Sequence, residues 1–327
     1  MSPDFLALFA SPFMIMGMAL ALDMAMGEPS FLWSRLPHPV VLFGKAISFV
    51  ESRFNKRTIT GRKRRILGIL AIILWVSLAS AIGLICTILL SFLPFGIFIE
   101  VCLVAILLAG RSLYDHIDAV MQPLKKGDLD AARYAVSMIV GRDTRQMGQT
   151  DIAKAAIETG AENLSDGVIA PAIWYLIGGL PLLFAYKMIN TADSMVGYKS
   201  ARFYAFGWGA AMLDDVANFF PARLTALLII ATSLSGDAGK QAKQVMKQDA
   251  DKHASPNAGY PESAMAGTLG IRLGGPRYYK NRLLDLPFMN ANGRRDISAS
   301  DIDKALQILW FALGSTSLLC LLIGITF

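Results

Sequence analysis

The chain has 327 residues, 54% of them hydrophobic and only 17% charged, a balance that points away from a soluble enzyme and toward an integral membrane protein. In a soluble chain the formal net charge of +6 would raise nucleic acid as a partner. Here the basic residues cluster in loops beside apolar runs, so they read as membrane topology and no nucleic-acid partner is expected.

Residues 5–22 are uncharged and long enough to cross a hydrocarbon core of about 30 Å. A signal peptide is disfavoured by the missing basic n-region, by Asp4 and by the absence of a clear A-x-A cleavage site. The loop that follows carries Arg35, Lys45, Arg53, Lys56, Arg57, Arg62, Lys63, Arg64 and Arg65, which marks it as cytoplasmic. Within it, LPHPVVLFGKAISFVESRF predicts an extended turn and then an amphipathic helix near the membrane surface. Residues 66–93 form a second span, and Pro94 and Gly96 allow a turn into a third over 95–110, with Glu100 near its outer end. Residues 112–167 are too charged for lipid, and Thr150 is placed to cap a helix from Asp151.

Residues 168–186 are uncharged, yet a full crossing there would separate NTADSMVGY and LDDVANFFPARL from the other polar motifs. Residues 168–189 and 222–235 are therefore expected to be re-entrant or buried in the protein, where broken backbone is tolerated at membrane depth. Residues 236–262 begin as a solvated helix, and Pro256, Gly259 and Pro261 argue against regular structure in their second half. A short apolar helix follows and breaks at Gly274 and Gly275, and residues 306–327 form the last span. The expected fold is an all-α integral membrane protein, a single domain with about four to six membrane-embedded helices and its catalytic helices and loops on the cytoplasmic side.

Cys86, Cys102 and Cys320 lie in apolar segments without zinc or disulfide spacing and read as packing residues. His38, His116 and His253 are far apart, which argues against a histidine metal site. The chemistry concentrates in residues 141–223. Glu158, Glu162 and Asp166 are spaced i, i+4, i+8 on one helix, with Asn163 beside them. Three carboxylates on one stripe repel unless cations sit among them. Asn190 with Asp193, and Asp214 with Asn218 and Asp215, form two further helical groups in apolar surroundings. Such sets suit Mg²⁺ bound with phosphate, with Asp214, Asp215, Glu162 and Asp166 as the candidate metal ligands. Arg142, Arg145, Lys187 and Arg223 would supply the matching phosphate-binding cations. There is no P-loop, G-x-S-x-G or H-E-x-x-H motif, and the LGG and SPNAG turns present main-chain N–H groups that could meet an anion. From the residues alone, the chain is a membrane-embedded enzyme or transporter for a phosphorylated or anionic ligand, working with a divalent metal.

The segments ALDMAMGEP, LPHPVVLFGKAI, GRDT, AIETGAENLSDGVIAP, NTADSMVGYK, LDDVANFFPARL and SPNAGYPESAMAGTLGIRLGG, in that order from about residue 20 to 280, resemble the CobD/CbiB family of cobalamin biosynthesis. The resemblance implies an adenosylcobinamide-phosphate synthase, a carbon–nitrogen ligase of the cell (inner) membrane with its active site facing the cytoplasm. It would join aminopropanol, as its O-phosphate, to the free propionate carboxyl of adenosylcobyric acid, using ATP and Mg²⁺, with the corrinoid as substrate rather than cofactor. Membrane lipid and other enzymes of the pathway are the further partners expected. In that frame Asp193 is the first choice of general base, with Glu158, Glu162, Asp166 and Lys187 beside it. Arg142, Arg145 and Arg223 would bind phosphate, and Asn163 and Asn190 would orient substrate. Asn218, Asn257 and His38, which fall in the matching motifs, complete the expected binding set, His38 as a hydrogen-bonding loop residue rather than a cobalt ligand. The alternative is a transporter for a metal or corrinoid, its acidic residues lining a path at membrane depth.

Overall fold

The computed structural model describes residues 11–27, 33, 35, 37–233, 237–279 and 282–326. Residues 5–10 of the first expected span and 234–235 of the segment expected over 222–235 lie outside them. The protein is helical almost throughout. Among the described residues, four helical stretches are long and apolar enough to cross a membrane: Gly61–Ser91, Gly96–Lys125, Gln149–Val196 and Ala299–Thr326. Pro12–Met26 and Phe219–Ala231 are shorter apolar helices. The chain divides into two compact units that alternate along the sequence.

The first unit draws on Met1–Ala109, Ala170–Asn218 and Thr316–Phe327. It contains α1 (Pro12–Met26), α2 (Pro39–Phe54), α3 (Gly61–Ser91) and α4 (Gly96–Leu107). The proline at the first position of α2 leaves no orphan N–H, and the His38 ring caps the helix by accepting from the Val40 amide. At 31 residues, α3 is about 45 Å long, more than a hydrocarbon core, so its basic first turn has room outside the apolar layer. Close packing explains two of its glycines. A Cβ on Gly68 would overlap the Phe206 carbonyl, and one on Gly83 would stand 2.6 Å from the Leu180 carbonyl oxygen.

Leu180 follows a break. The helix α8 (Ala170–Val196) loses helical dihedrals at Gly178 and Gly179, and Gly179 has φ of 60°, a conformation that glycine reaches without a Cβ clash. Pro181 lacks the amide that would bridge the break. The uncharged run over 168–186 is thus two helical pieces. Tyr175, on the first piece, donates its hydroxyl to Glu100 of α4 at 2.8 Å, which gives that carboxylate a partner among apolar helices. The unit continues through α9 (Trp208–Ala217).

The second unit draws on Gly110–Ile169 and Phe219–Ser315. It contains α5 (Gly110–Lys125), α6 (Leu129–Ser137), α7 (Gln149–Leu164), a π turn at Ser165–Ile169, α10 (Phe219–Ala231), α11 (Asp237–Asp249) and α12 (Gly259–Leu269). The two-residue strands β1 (Leu273–Gly274) and β4 (Phe288–Met289) pair antiparallel, as do β2 (Arg277–Tyr279) and β3 (Arg282–Leu284). The helix α13 (Ala299–Thr326) gives its first part to this unit and its end to the first.

Several sequence expectations are corrected here. α7 starts at Gln149 with Gly148 as its uncapped N-terminal residue, so Thr150 lies inside the helix. α12 begins at Gly259 and takes Pro261 into its first turn, where a proline sacrifices no intrahelical hydrogen bond, and it ends at Gly270 (φ 64°) rather than at Gly274. The last span starts at Ala299, earlier than residue 306. Of the three thiols, Cys320 is buried and Cys102 exposed, so Cys102 packs against no protein core.

Candidate active site: buried carboxylates and a stacked guanidinium

In the first unit, two helix ends bring polar residues into an apolar setting. Asp214 on α9 is buried, and Asn218 follows one helical turn later as the residue that ends α9. That i, i+4 spacing lets the Asn218 amide donate to Oδ2 of Asp214 at 2.9 Å, while its own Oδ1 accepts from the Tyr186 hydroxyl at 2.8 Å. The other oxygen of Asp214, Oδ1, is buried without a hydrogen-bond partner. Ala170, Tyr186 and Ala217 form the apolar floor, with Trp174 packed against it and its indole N–H donating to the Ala217 carbonyl at 3.2 Å.

Burial, and then the neighbouring Asp193 charge, hold the Asp214 carboxyl above the usual carboxylate range; the Asn218 and Asn190 amides oppose that rise. Burial also raises Asp215, against the pull of Lys199. Asp193 lies in the same electrostatic group, on the last turns of α8. Gly197, one turn after it, makes the room: a Cβ there would run into the Asp193 carboxylate. The motif N-x-x-D-x-x-x-G therefore has a steric reason for its glycine. Lys187 is buried on α8. His38 commits both ring nitrogens to the main chain, Nδ1 accepting from the Val40 amide and Nε2 lying 3.2 Å from the Ile106 carbonyl.

In the second unit, Glu158 of α7 is buried. Its Oε1 accepts from the Gly274 amide at 2.8 Å, and its Oε2 stands 3.5 Å from Arg142. Gly274 and Gly275 have φ of 69° and 87°, left-handed values that suit glycine. The anion met by the LGG turn is thus the chain's own Glu158. Beyond Leu164 the π turn ends the ideal α-helical stepping, so the i, i+4, i+8 stripe does not continue as an α-helix to Asp166. Glu162 and Asp166 are half-buried, and Asn163 is exposed with its amide donating to the Thr159 carbonyl. Arg145 is exposed and grips Asp143 at 2.6 Å, holding that carboxyl down to about 2 through its hydrogen bonds.

Arg223 of α10 packs against two aromatic rings. Its guanidinium carbon lies 3.6 Å from the Phe219 ring centroid and 4.0 Å from that of Tyr260. Nη1 donates to the Phe219 carbonyl at 2.6 Å and reaches Asn257 Oδ1 at 3.5 Å. The Tyr260 hydroxyl is itself tied to Asp251 at 3.0 Å. A guanidinium held against two rings has lost rotamer freedom in advance, which favours binding an oxyanion.

The sequence reading missed Tyr186, Tyr260 and Glu262. Glu262 is buried, with His253 Nε2 at 3.8 Å. Its signal was a lone acid at the head of an apolar helix, hidden because that stretch was read as irregular. The four expected metal ligands are divided between the units, Asp214 and Asp215 in the first and Glu162 and Asp166 in the second. Among the described residues no group of three or more His, Cys, Asp and Glu side chains could hold a metal ion.

These features define an all-α membrane protein that keeps carboxylates buried at helix ends. The model of the CobD/Cbib protein family matches residues 16–309. A "Cobalamin biosynthesis protein CobD" of Brucella anthropi is 47% identical over 321 residues, 95% of this chain and 98% of the relative. The protein of that name from Brucella suis biovar 1 is 48% identical over 303 residues, covering 90% and 92%. One from Rhodobacter capsulatus is 40% identical over 311 residues, covering 95% and 97%. No solved structure matches the chain. The chain belongs to the CobD/CbiB family.

Proposed function

We propose that the protein acts in cobalamin biosynthesis as a carbon–nitrogen ligase, joining aminopropanol, as its O-phosphate, to the free propionate carboxyl of adenosylcobyric acid. Membership of the family and the names of its relatives support the pathway. The observation that carries the chemistry is Asp214, a buried carboxylate with one oxygen left without a partner. An unpaired acceptor of that kind is costly unless a cation completes it.

An amide formed from a carboxylate and an ammonium is uphill in water. ATP with Mg²⁺ would supply the activation, its γ-phosphoryl group passing to the carboxylate with loss of ADP and leaving as inorganic phosphate when the amine nitrogen attacks. The fit to Mg²⁺ is that of a phosphate-borne ion: the described residues offer no three-donor cage, whereas Mg²⁺ needs only one or two carboxylates when phosphates and water fill its shell. Asp214 and Asp215 would hold it. Asp193 would take the proton that the ammonium must lose before its nitrogen attacks. Asn190 and Asn218 orient the acidic group. In the second unit, the stacked Arg223 is read as a phosphate-binding group.

The test uses full-length protein in detergent with adenosylcobyric acid, aminopropanol phosphate, ATP and Mg²⁺, following the corrinoid by mass. A product heavier by the aminopropanol phosphate unit and dependent on ATP supports the ligase. A second reading, a transporter for a metal or corrinoid, draws on the helix broken at Gly178–Gly179, a device also found at transport sites. Corrinoid or metal uptake into proteoliposomes without product would favour it.

A further inference from the structure

The first unit carries a surface whose chemistry the ligase reading does not use. Residues 45–65 contain eight basic side chains, Lys45, Arg53, Lys56, Arg57, Arg62, Lys63, Arg64 and Arg65, and one acid, Glu51. All the basic residues but Arg64 are exposed. Glu51 points the other way: it is buried, and Arg202 closes on it with Nε at 3.0 Å and Nη2 at 2.6 Å. Its negative charge is thus neutralised by Arg202, and the exposed charges of residues 45–65 are all positive.

That face is also apolar. α2 buries Phe43, Ile47 and Glu51 and exposes Val41, Leu42, Phe49 and Phe54, with Phe49 70% accessible. Lys45 and Arg53 stand one turn to either side of Phe49, so apolar and basic residues share the outward stripe. A solvated helix would put polar residues there; a helix lying in a lipid interface buries such a stripe while its long basic side chains reach up to the headgroups. The neighbouring parts of the unit agree. α3 starts with Arg62, Lys63, Arg64 and Arg65 and becomes apolar from Ile66. Arg65 lies 3.7 Å from the ring centroid of Trp208, and Trp208 and Tyr204 are themselves exposed, as aromatic anchors at headgroup depth are.

We propose that this cationic, aromatic-edged face of α2 and the start of α3 is a binding surface for anionic phospholipid headgroups, which clamp the first unit to the membrane. Charge complementarity selects the occupant: eight basic residues with their one acid internally neutralised favour phosphate-bearing lipids with net negative charge over zwitterionic ones. The apolar stripe separates a lipid from a free polyanion, because only a lipid offers acyl chains for Phe49 and Leu42.

The experiment uses the full chain purified in detergent and exposed to equal amounts of phosphatidylglycerol and phosphatidylcholine, with retained lipid counted by native mass spectrometry. Retention of phosphatidylglycerol is expected to exceed that of phosphatidylcholine by roughly fivefold or more at low salt, and the excess should shrink in high salt as the surface charge is screened. Replacing Lys56, Arg57, Arg62 and Lys63 together by Gln should remove most of the preference. Equal retention of the two lipids by the wild-type protein overturns the proposal, as does a preference that is unmoved by salt. The wild-type comparison stands whether or not the fourfold variant inserts normally.

Discussion

The Asn218 side chain reaches back one helical turn to donate to one oxygen of Asp214 and leaves the other, buried, with nothing to accept from. A helix end that stabilises one half of a carboxylate and exposes the other half to no solvent is poised for a cation. Replacing Asp214 by Asn should therefore separate stability from activity. The variant loses an uncompensated buried acid, so its apparent Tm in detergent should hold or rise, while turnover falls about 100-fold or more, as for other lost electrostatic contacts at a reacting centre. A variant that unfolds without substrate would show the carboxylate to be structural.

Gly197 offers a milder probe of the same group. A methyl at this position would collide with the Asp193 carboxylate, so Gly197→Ala should displace the proposed base by a fraction of an ångström. Turnover is expected to drop about tenfold or more, with a smaller change in the KM for the phosphorylated amine, because a displaced group loses more in the transition state than in binding. Steady-state kinetics on the two variants Gly197→Ala and Gly197→Ser would check this, with the larger side chain worse.

Stacking makes Arg223 more than a charge. Arg223→Lys keeps the charge and loses the planar contact with Phe219 and Tyr260, so the KM for the phosphate-bearing substrate should rise about tenfold while kcat changes less. Tyr260→Leu should move KM the same way by a smaller factor, since the guanidinium remains but its outer ring is gone.

Acid should act through Glu51. Burial alone would raise its carboxyl, but the Arg202 hydrogen bonds and the Asn55 amide outweigh burial and hold it below its ordinary value. A depressed folded-state pKa stabilises above the unfolded value and is lost as pH falls through the folded one. Glu51→Gln should thus lower the apparent Tm at pH 7, and the gap to wild type should close below about pH 4, near and under the ordinary Glu value. The Arg202 side chain is 62% exposed, so salt should narrow the gap as well.

Composition and apolar run length by themselves determined that this is an all-α membrane protein, because hydrocarbon forces every backbone amide in a spanning segment to find its partner within the segment. The motif text pointed to the family, while the apolar runs expected from residues 66 and 306 fall inside helices that begin earlier, at Gly61 and Ala299. Helical spacing was enough to pair Asp214 with Asn218, since residues four apart share a face wherever the helix goes. What spacing could not reach was everything set by contacts distant in sequence. Only the tertiary structure decided that Tyr186 completes Asn218, that Gly274 donates to Glu158, and that Tyr260 stacks on Arg223. It also decided that α8 breaks at Gly178–Gly179 where α3 presses its Gly83 against Leu180. Such partners lie 30 to more than 100 residues away along the chain, and a local pattern carries no record of which neighbour the fold will bring.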